Sequence, residues 1–342
     1  VSFQANKTEV LHSWVKYREG FSSELVKILL EEFGLNKNDT VLDPFAGSCT
    51  TLIVAKLMGI NAIGIELLPH CHLAWEGKKR AYRYDLEELN EIRDKFINHP
   101  SQYEDKKFPH LSITYSAFPK ETEKELMFYT GWIEQLSCSK DAKVLLNMIV
   151  MSILEEISYT RKDGQYLRWD GRAEKIIQRN ITRREKGKKP IKGINKGKLP
   201  SFREAFISKL DKIIKDLEEL RKEPINSSSQ ELMRGNSLNL LPTFSKNSIS
   251  TVITSPPYAN RYDYTRTYAL ELAYLEVKKE IFDLRQSQLS CTVENKSKME
   301  YLEKYYESLG KNNDFRMITN VIKNNKVLQE INKALKIRQE MG

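Results

Sequence analysis

Two short segments carry residue types that could do chemistry together. Asp43-Pro44-Phe45-Ala46-Gly47-Ser48-Cys49-Thr50-Thr51 joins an apolar run to a helical pattern, and Thr254-Ser255-Pro256-Pro257-Tyr258 follows a second apolar run. A turn between strand and helix lets the backbone approach a ligand at a sheet's carboxyl edge, so a nucleotide-like molecule is its natural occupant. Asp43 ends the first run, and Glu66 ends the next one 23 residues later, where an acidic side chain accepts hydrogen bonds from ribose hydroxyls. In the second segment, two prolines fix the backbone, remove two N–H donors and leave carbonyls directed outward. The exocyclic amine of a nucleobase needs acceptors on both hydrogens before its lone pair can leave the ring and attack an electrophile. The Ser255 hydroxyl oxygen and the Pro256 carbonyl supply such a pair, with Tyr258 free to stack on the base. Taken singly, each segment also reads as an ordinary capped turn, with Glu66 merely exposed and Tyr258 on the surface. Their pairing at adjacent strand ends favours a ligand site.

Those ends need a sheet. Thr40-Val41-Leu42, the helical pattern Thr50 to Met58 and the apolar run Ile60 to Glu66 predict a β-α-β unit. Leu232 to Gly235 and Ile249 to Thr254 predict two more strands, and strand signals cluster only in these two regions. From His70 to Lys222 helical patterns dominate, notably Val144 to Ile157 and Phe202 to Leu220. Helical patterns return from Thr265 to Ser287 and from Lys296 to Glu340. The expected fold is α/β, a Rossmann-like doubly wound sheet of about four strands with a large helical insertion and a helical C-terminal tail. The expected segments are 1–90, 91–230, 231–264 and 265–342. His70 and His72 fall at a helix start and, with His12, are not spaced as a metal site. Tyr268 and Tyr274 are expected in the core.

A chain of 342 residues, 40% hydrophobic and 30% charged, is too long for a small disulfide-stapled scaffold. No apolar run approaches the roughly 20 residues that cross a bilayer, and the N-terminus shows no secretory signal. Cys49, Cys71, Cys138 and Cys291 are scattered, which points to a reducing cytoplasm and no cysteine-based zinc site. The net charge is +9, and Gly171 to Pro200 alone holds 11 basic and 2 acidic residues, also +9. A surplus so confined suits a polyanion, and equally a solvated basic loop.

Together these motifs resemble the DNA methyltransferases that modify exocyclic amines with S-adenosylmethionine. The resemblance covers roughly residues 10–85 and 230–290. It makes Asp43, Phe45, Gly47 and the ribose-binding acid Glu66 cofactor residues. Trp14 to Ser22 resembles the segment folded over the methionine end, contributing Tyr17, Phe21 and Ser22, and Asn236 stands where the family places a polar residue against adenine. Ser255, Pro256, Pro257 and Tyr258 match the catalytic motif in the serine form associated with cytosine N4. N6-adenine methylation, RNA methylation and a non-catalytic DNA-binding subunit remain alternatives. Two positions depart from the pattern. Asn236 replaces an aspartate, and Cys49 replaces a glycine, so residue 49 is expected in an αR-like or β-like conformation. The implied partners are double-stranded DNA and a cognate restriction endonuclease, with no membrane and no metal. Arg161, Lys162, Arg168, Arg172, Arg183 and Arg184, interleaved with Tyr166 and Trp169, are the candidate DNA contacts. Three further strands follow the catalytic motif in the family, whereas Lys326 to Met341 reads helical here. That contrast predicts a truncated or split enzyme with an exposed apolar sheet edge, completed by a separate C-terminal fragment; the rival expectation is that the terminal helices cover the edge.

Overall fold

The computed structural model describes residues 5–99, 107–163, 166–222, 227–257, 263–278, 280–288 and 298–340. Among them are six strands: β1 (Thr40–Asp43), β2 (Asn61–Glu66), β3 (Thr160–Asp163), β4 (Tyr166–Trp169), β5 (Gln230–Arg234) and β6 (Thr251–Val252). Four form one parallel sheet in the order β5-β2-β1-β6. β1 and β2 are apolar runs because both faces of a parallel sheet are covered, and α2 (Thr50–Met58) buries six residues between them. The chain steps outward from β1 to β2 and β5, then returns to the far side of β1 for β6. This reversal opens a crevice at the carboxyl ends of β1 and β6, the place where open α/β sheets bind ligands. Both chemistry-bearing segments leave the sheet there.

The helices before the insertion are α1 (Ser23–Glu32), α2 and α3 (Pro69–Lys79), which starts just before His70 and His72. The insertion adds α4 (Leu86–Asn98), α5 (Lys120–Gln135), α6 (Lys140–Ile157), α7 (Glu174–Glu185) and α8 (Phe202–Leu220). α6 buries ten residues because α3, α5 and α8 all pack on it. Ser201 and Glu204 form a reciprocal capping box that starts α8 at its expected boundary.

The insertion is not a body of its own. Residues 1–237 and 246–293 form one compact unit. The physical reason is a shared core, to which the Trp14 indole adds a buried hydrogen bond to Asp216 of α8 (2.9 Å). The second unit comprises residues 238–245 and 294–342. In it, Tyr301 and Tyr305 of the helix Met299–Ser308 donate to the side chain (3.0 Å) and carbonyl (2.9 Å) of Asn239. Met317, Val321 and Val327 on its later helices are each more than half exposed.

Three expectations need correction. β3 and β4 form an antiparallel hairpin inside the insertion expected to be helical. Thr160-Arg161-Lys162-Asp163 hid it because it is too polar to read as a strand; Gly164-Gln165, a hairpin-type link, was the available signal. β6 is shorter than expected, although the Ser250 and Ile253 N–H groups still donate to Thr40 and Leu42 carbonyls on β1. The helix expected over 265–287 breaks into Tyr264–Thr267, Ala269–Tyr274 and Ile281–Ser287, with Glu276 left-handed (φ 56°) at the second break. Tyr268 is buried as expected, and Tyr274 packs half-buried against the core. β6 is an edge of the described sheet, and Val252 on it is 52% exposed.

The hairpin also removes Lys162 from the candidate DNA contacts. Alternation along β3 turns Arg161 outward and Lys162 inward. There the residue is 3% exposed, and its ammonium pairs with Glu271, lies 3.8 Å from Glu155 and sits 4.6 Å over the Tyr268 ring. Removing one member of a buried ion pair strands the other. Lys162→Met is therefore expected to lose about 3–5 kcal/mol of unfolding free energy in urea, with DNA affinity per folded molecule unchanged. Wild-type stability with weakened DNA binding would return Lys162 to the surface role.

Candidate active site

Asp43 ends β1 fully buried, and its carboxylate does not face open crevice. It accepts the Thr254 hydroxyl (2.8 Å), the Thr51 hydroxyl (2.9 Å) and the Phe45 N–H (3.1 Å). One side chain thus ties the end of β6, the start of α2 and the turn between β1 and α2. Burial pushes its pKa up to about 6, against the pull of those three hydrogen bonds. Ser255, Pro256 and Pro257 continue directly from the latched Thr254, with Ser255 and Pro257 half-buried and Pro256 exposed. Tyr258, and Tyr262 after it, lie outside the described residues.

The turn itself is clamped from two sides. Glu66, at the end of β2, accepts the N–H groups of Gly47, Leu67 and Leu68 (2.8 Å each). Burial raises its carboxyl pKa and these bonds oppose the rise. From α3, the Lys78 ammonium reaches under the turn to the Ser48 carbonyl (3.0 Å), and burial pushes its pKa down to about 8. Gly47 is left-handed (φ 50°), and a Cβ there would lie 2.8 Å from the Tyr17 ring. Cys49 is also left-handed (φ 66°, ψ 37°), contrary to the αR-like or β-like expectation. A non-glycine residue pays about 1–2 kcal/mol for that conformation. The surroundings hold it there: its N–H donates to the Ala46 carbonyl (2.7 Å), its carbonyl accepts Ile53, and its thiol is fully buried.

Around the turn, Tyr17 stacks on Tyr268 (5.2 Å), which stacks on His70 (4.4 Å). Burial lowers the His70 pKa to about 3, so that ring is neutral. Tyr268 donates to Glu19 and has Lys162 on its face, so the hairpin supports the ring that supports Tyr17. Phe21 is half-buried and its carbonyl accepts Asn6 (3.0 Å); Ser22 is buried immediately before α1. Phe45 is half-buried, the most open side chain of the turn. Asn236 follows β5 and donates to the Ser287 carbonyl (2.8 Å). Thr51, Thr254, Lys78 and Tyr268 hold the site in place without having been singled out for it, and no local spacing marks them.

Four of the turn's N–H groups are spent internally. Phe45 donates to Asp43, Ala46 to the Ile65 carbonyl, Gly47 to Glu66 and Cys49 to Ala46. A pyrophosphate needs such donors free at a helix start. A nucleoside cofactor without phosphate does not, and it fits a turn closed on Tyr17 with Glu66 and Asn236 at neighbouring strand ends.

The other basic candidates divide by surroundings. Arg161 and Arg184 are exposed; Arg168 is exposed beside Asp163. Arg172 forks onto Asp170 through two 2.8 Å bonds, and Arg183 donates to the Lys189 carbonyl (2.7 Å).

Residues 4–76 match the family model described as DNA methylase. The whole chain is 52% identical to the type II methyltransferase M.BsoBI of Geobacillus stearothermophilus, of which it spans 68%. The chain belongs to the amino-methylating DNA methyltransferases of type II. The methyltransferase is also 40% identical over 87% of its length to M.AvaI of Nostoc sp., spanning 61% of that protein. A shorter stretch, 29% of the chain, is 33% identical to M.MjaII of Methanocaldococcus jannaschii. No solved structure matches the methyltransferase.

The latch has a pH signature. Asp43 has a higher pKa folded than unfolded, so between about pH 6 and pH 4 the folded methyltransferase binds the extra proton and gains stability as pH falls. Asp43→Asn removes that titration. The stability of wild type relative to Asp43→Asn is expected to rise by about 2 kcal/mol from pH 7 to pH 4 in urea titrations. A flat difference would show that Asp43 titrates normally.

Proposed function

We propose that the protein transfers a methyl group from S-adenosylmethionine to the exocyclic amine of a base flipped out of double-stranded DNA, with cytosine N4 as the amine. The observation that carries this reading is the Thr254–Asp43 hydrogen bond, which keeps Ser255-Pro256 beside the cofactor turn across the sheet's switch point. Tyr17, Phe45, Gly47, Glu66 and Asn236 would hold the cofactor, which supplies an electrophilic methyl on a sulfonium. Ser255 and the Pro256 carbonyl accept the two amine hydrogens, directing the nitrogen lone pair out of the ring plane. Flipping costs a few kcal/mol of stacking and pairing, offset by contacts in the pocket. Positioning then does most of the catalysis, and the proton leaves with or after transfer.

The serine form of the motif supports cytosine over adenine. The relatives' names support a place in a restriction-modification system beside a cognate endonuclease. Free thiols at Cys49, Cys71 and Cys138 suit a reducing cytoplasm.

The test is methyl transfer from labelled S-adenosylmethionine to mixed-sequence duplex DNA, followed by mass analysis of the nucleosides. N4-methylcytosine is the expected product. Ser255→Ala is expected to lower kcat by roughly 10²–10³ with cofactor affinity unchanged, as for loss of one preorganised polar contact. N6-methyladenine would move the target, and wild-type turnover by Ser255→Ala would remove Ser255 from the chemistry.

A further inference from the structure

We propose that the cleft between residues 107–124 and the start of α7 is a second nucleotide subsite, seating one base and its phosphate from DNA apart from the methyl-transfer crevice. The proposal rests on the DNA reading above and deepens it. The cleft has a volume of about 410 Å³ and is walled by Lys107, Tyr115, Lys120, Lys124, Tyr159 and Arg172 among others. That volume falls in the ~300–1,000 Å³ range of sites that hold a small molecule.

Its charge is positive. Four cations face two carboxylates, Glu123 and Glu174. Glu123 is already engaged by His110 (3.1 Å) and the Phe108 N–H (3.2 Å). Lys124 pairs with the exposed Glu121 at 3.3 Å, and such surface pairs bind weakly. Arg172 is held flat by the Asp170 fork and lies 5.5 Å over the Tyr159 ring, a rigid wall rather than a mobile side chain.

The aromatic element is preset. Tyr115 is 59% exposed on the cleft wall, so its ring face is open to a ligand in the cleft. Its neighbour Ser116 is left-handed (φ 61°) without being glycine. Such backbone persists only where the surroundings impose it, and it concentrates at functional sites. Here the Ser116 hydroxyl oxygen accepts the Lys175 N–H (3.0 Å), and Ala117 donates to the Thr114 carbonyl (3.0 Å), so the turn presenting Tyr115 is fixed. An exposed ring beside lysines is the combination that stacks a base and binds its phosphate. α7 then carries the basic surface onward, with Arg179, Arg184, Lys186, Lys188 and Lys189 all exposed on it and the loop after it.

The experiment measures duplex DNA affinity by fluorescence anisotropy over a series of salt concentrations, for the wild type, Tyr115→Ala and the double variant Lys120→Ala/Lys124→Ala. Tyr115→Ala is expected to weaken binding roughly tenfold. The double variant is expected to reduce the slope of log K against log salt by about 0.9, one phosphate's worth. Both should keep wild-type melting temperature and cofactor affinity, because none of the three residues belongs to the cofactor turn or the catalytic segment. Wild-type affinity and salt slope in these variants would overturn the cleft alone, whereas failure of the wild type to bind DNA would overturn the functional reading with it.

Discussion

The buried carboxylate of Asp43 is the constraint on which the site's geometry depends. A carboxylate without solvent must be satisfied by protein groups, because an unpaired buried charge costs several kcal/mol. Here it is satisfied by groups from separate parts of the chain: Phe45 in the turn, Thr51 in α2 and Thr254 beyond β6. Residues more than 200 positions apart are thereby held in one register. The burial that raises the carboxyl's pKa is what excludes water as a competing donor.

The turn beside Asp43 stores strain and is paired with supports sufficient to hold it. Gly47 and Cys49 are both left-handed, and only the glycine adopts that backbone without steric penalty. Glu66 pulls on the N–H of the turn while Lys78 pulls on its carbonyl side, so the conformation is set by groups of opposite charge from β2 and α3. Tyr17 closes the remaining face, held by Tyr268. Because Lys162 on the hairpin lies over Tyr268, a part of the insertion that looks remote in sequence stiffens the cofactor side of the crevice.

The insertion uses its basic residues in two ways. Some are structural: Lys162 compensates Glu271, and Lys196 donates to the carbonyls of Glu155, Ser158 and Thr160 (2.5–2.8 Å) at and beyond the end of α6, where cations offset the helix dipole. Burial pushes the Lys196 pKa down to about 8. Others, including Arg179, Arg184, Lys186 and Lys188, stay in solvent. The charge surplus between Gly171 and Pro200 is therefore neither a simple loop nor entirely a binding surface.

Local pattern was enough for much of this protein. The sequence alone determined the β-α-β unit, the boundaries of α2 and α8, the four-strand sheet and the two motifs at its edge, because helical period, apolar runs and proline are local signals. It could not determine which charges are buried, since Arg161 and Lys162 differ only in the side of a strand they occupy, and that side follows from the hairpin's pairing. Nor could it determine the backbone of Cys49, whose unfavourable φ is held by hydrogen bonds to Ala46 and Ile53 and by full burial of its thiol. The tertiary structure decided that Asp43 and Glu66 brace the site from within, because a carboxylate's role depends on which donors surround it, and those donors converge only when β1, β2 and β6 are assembled.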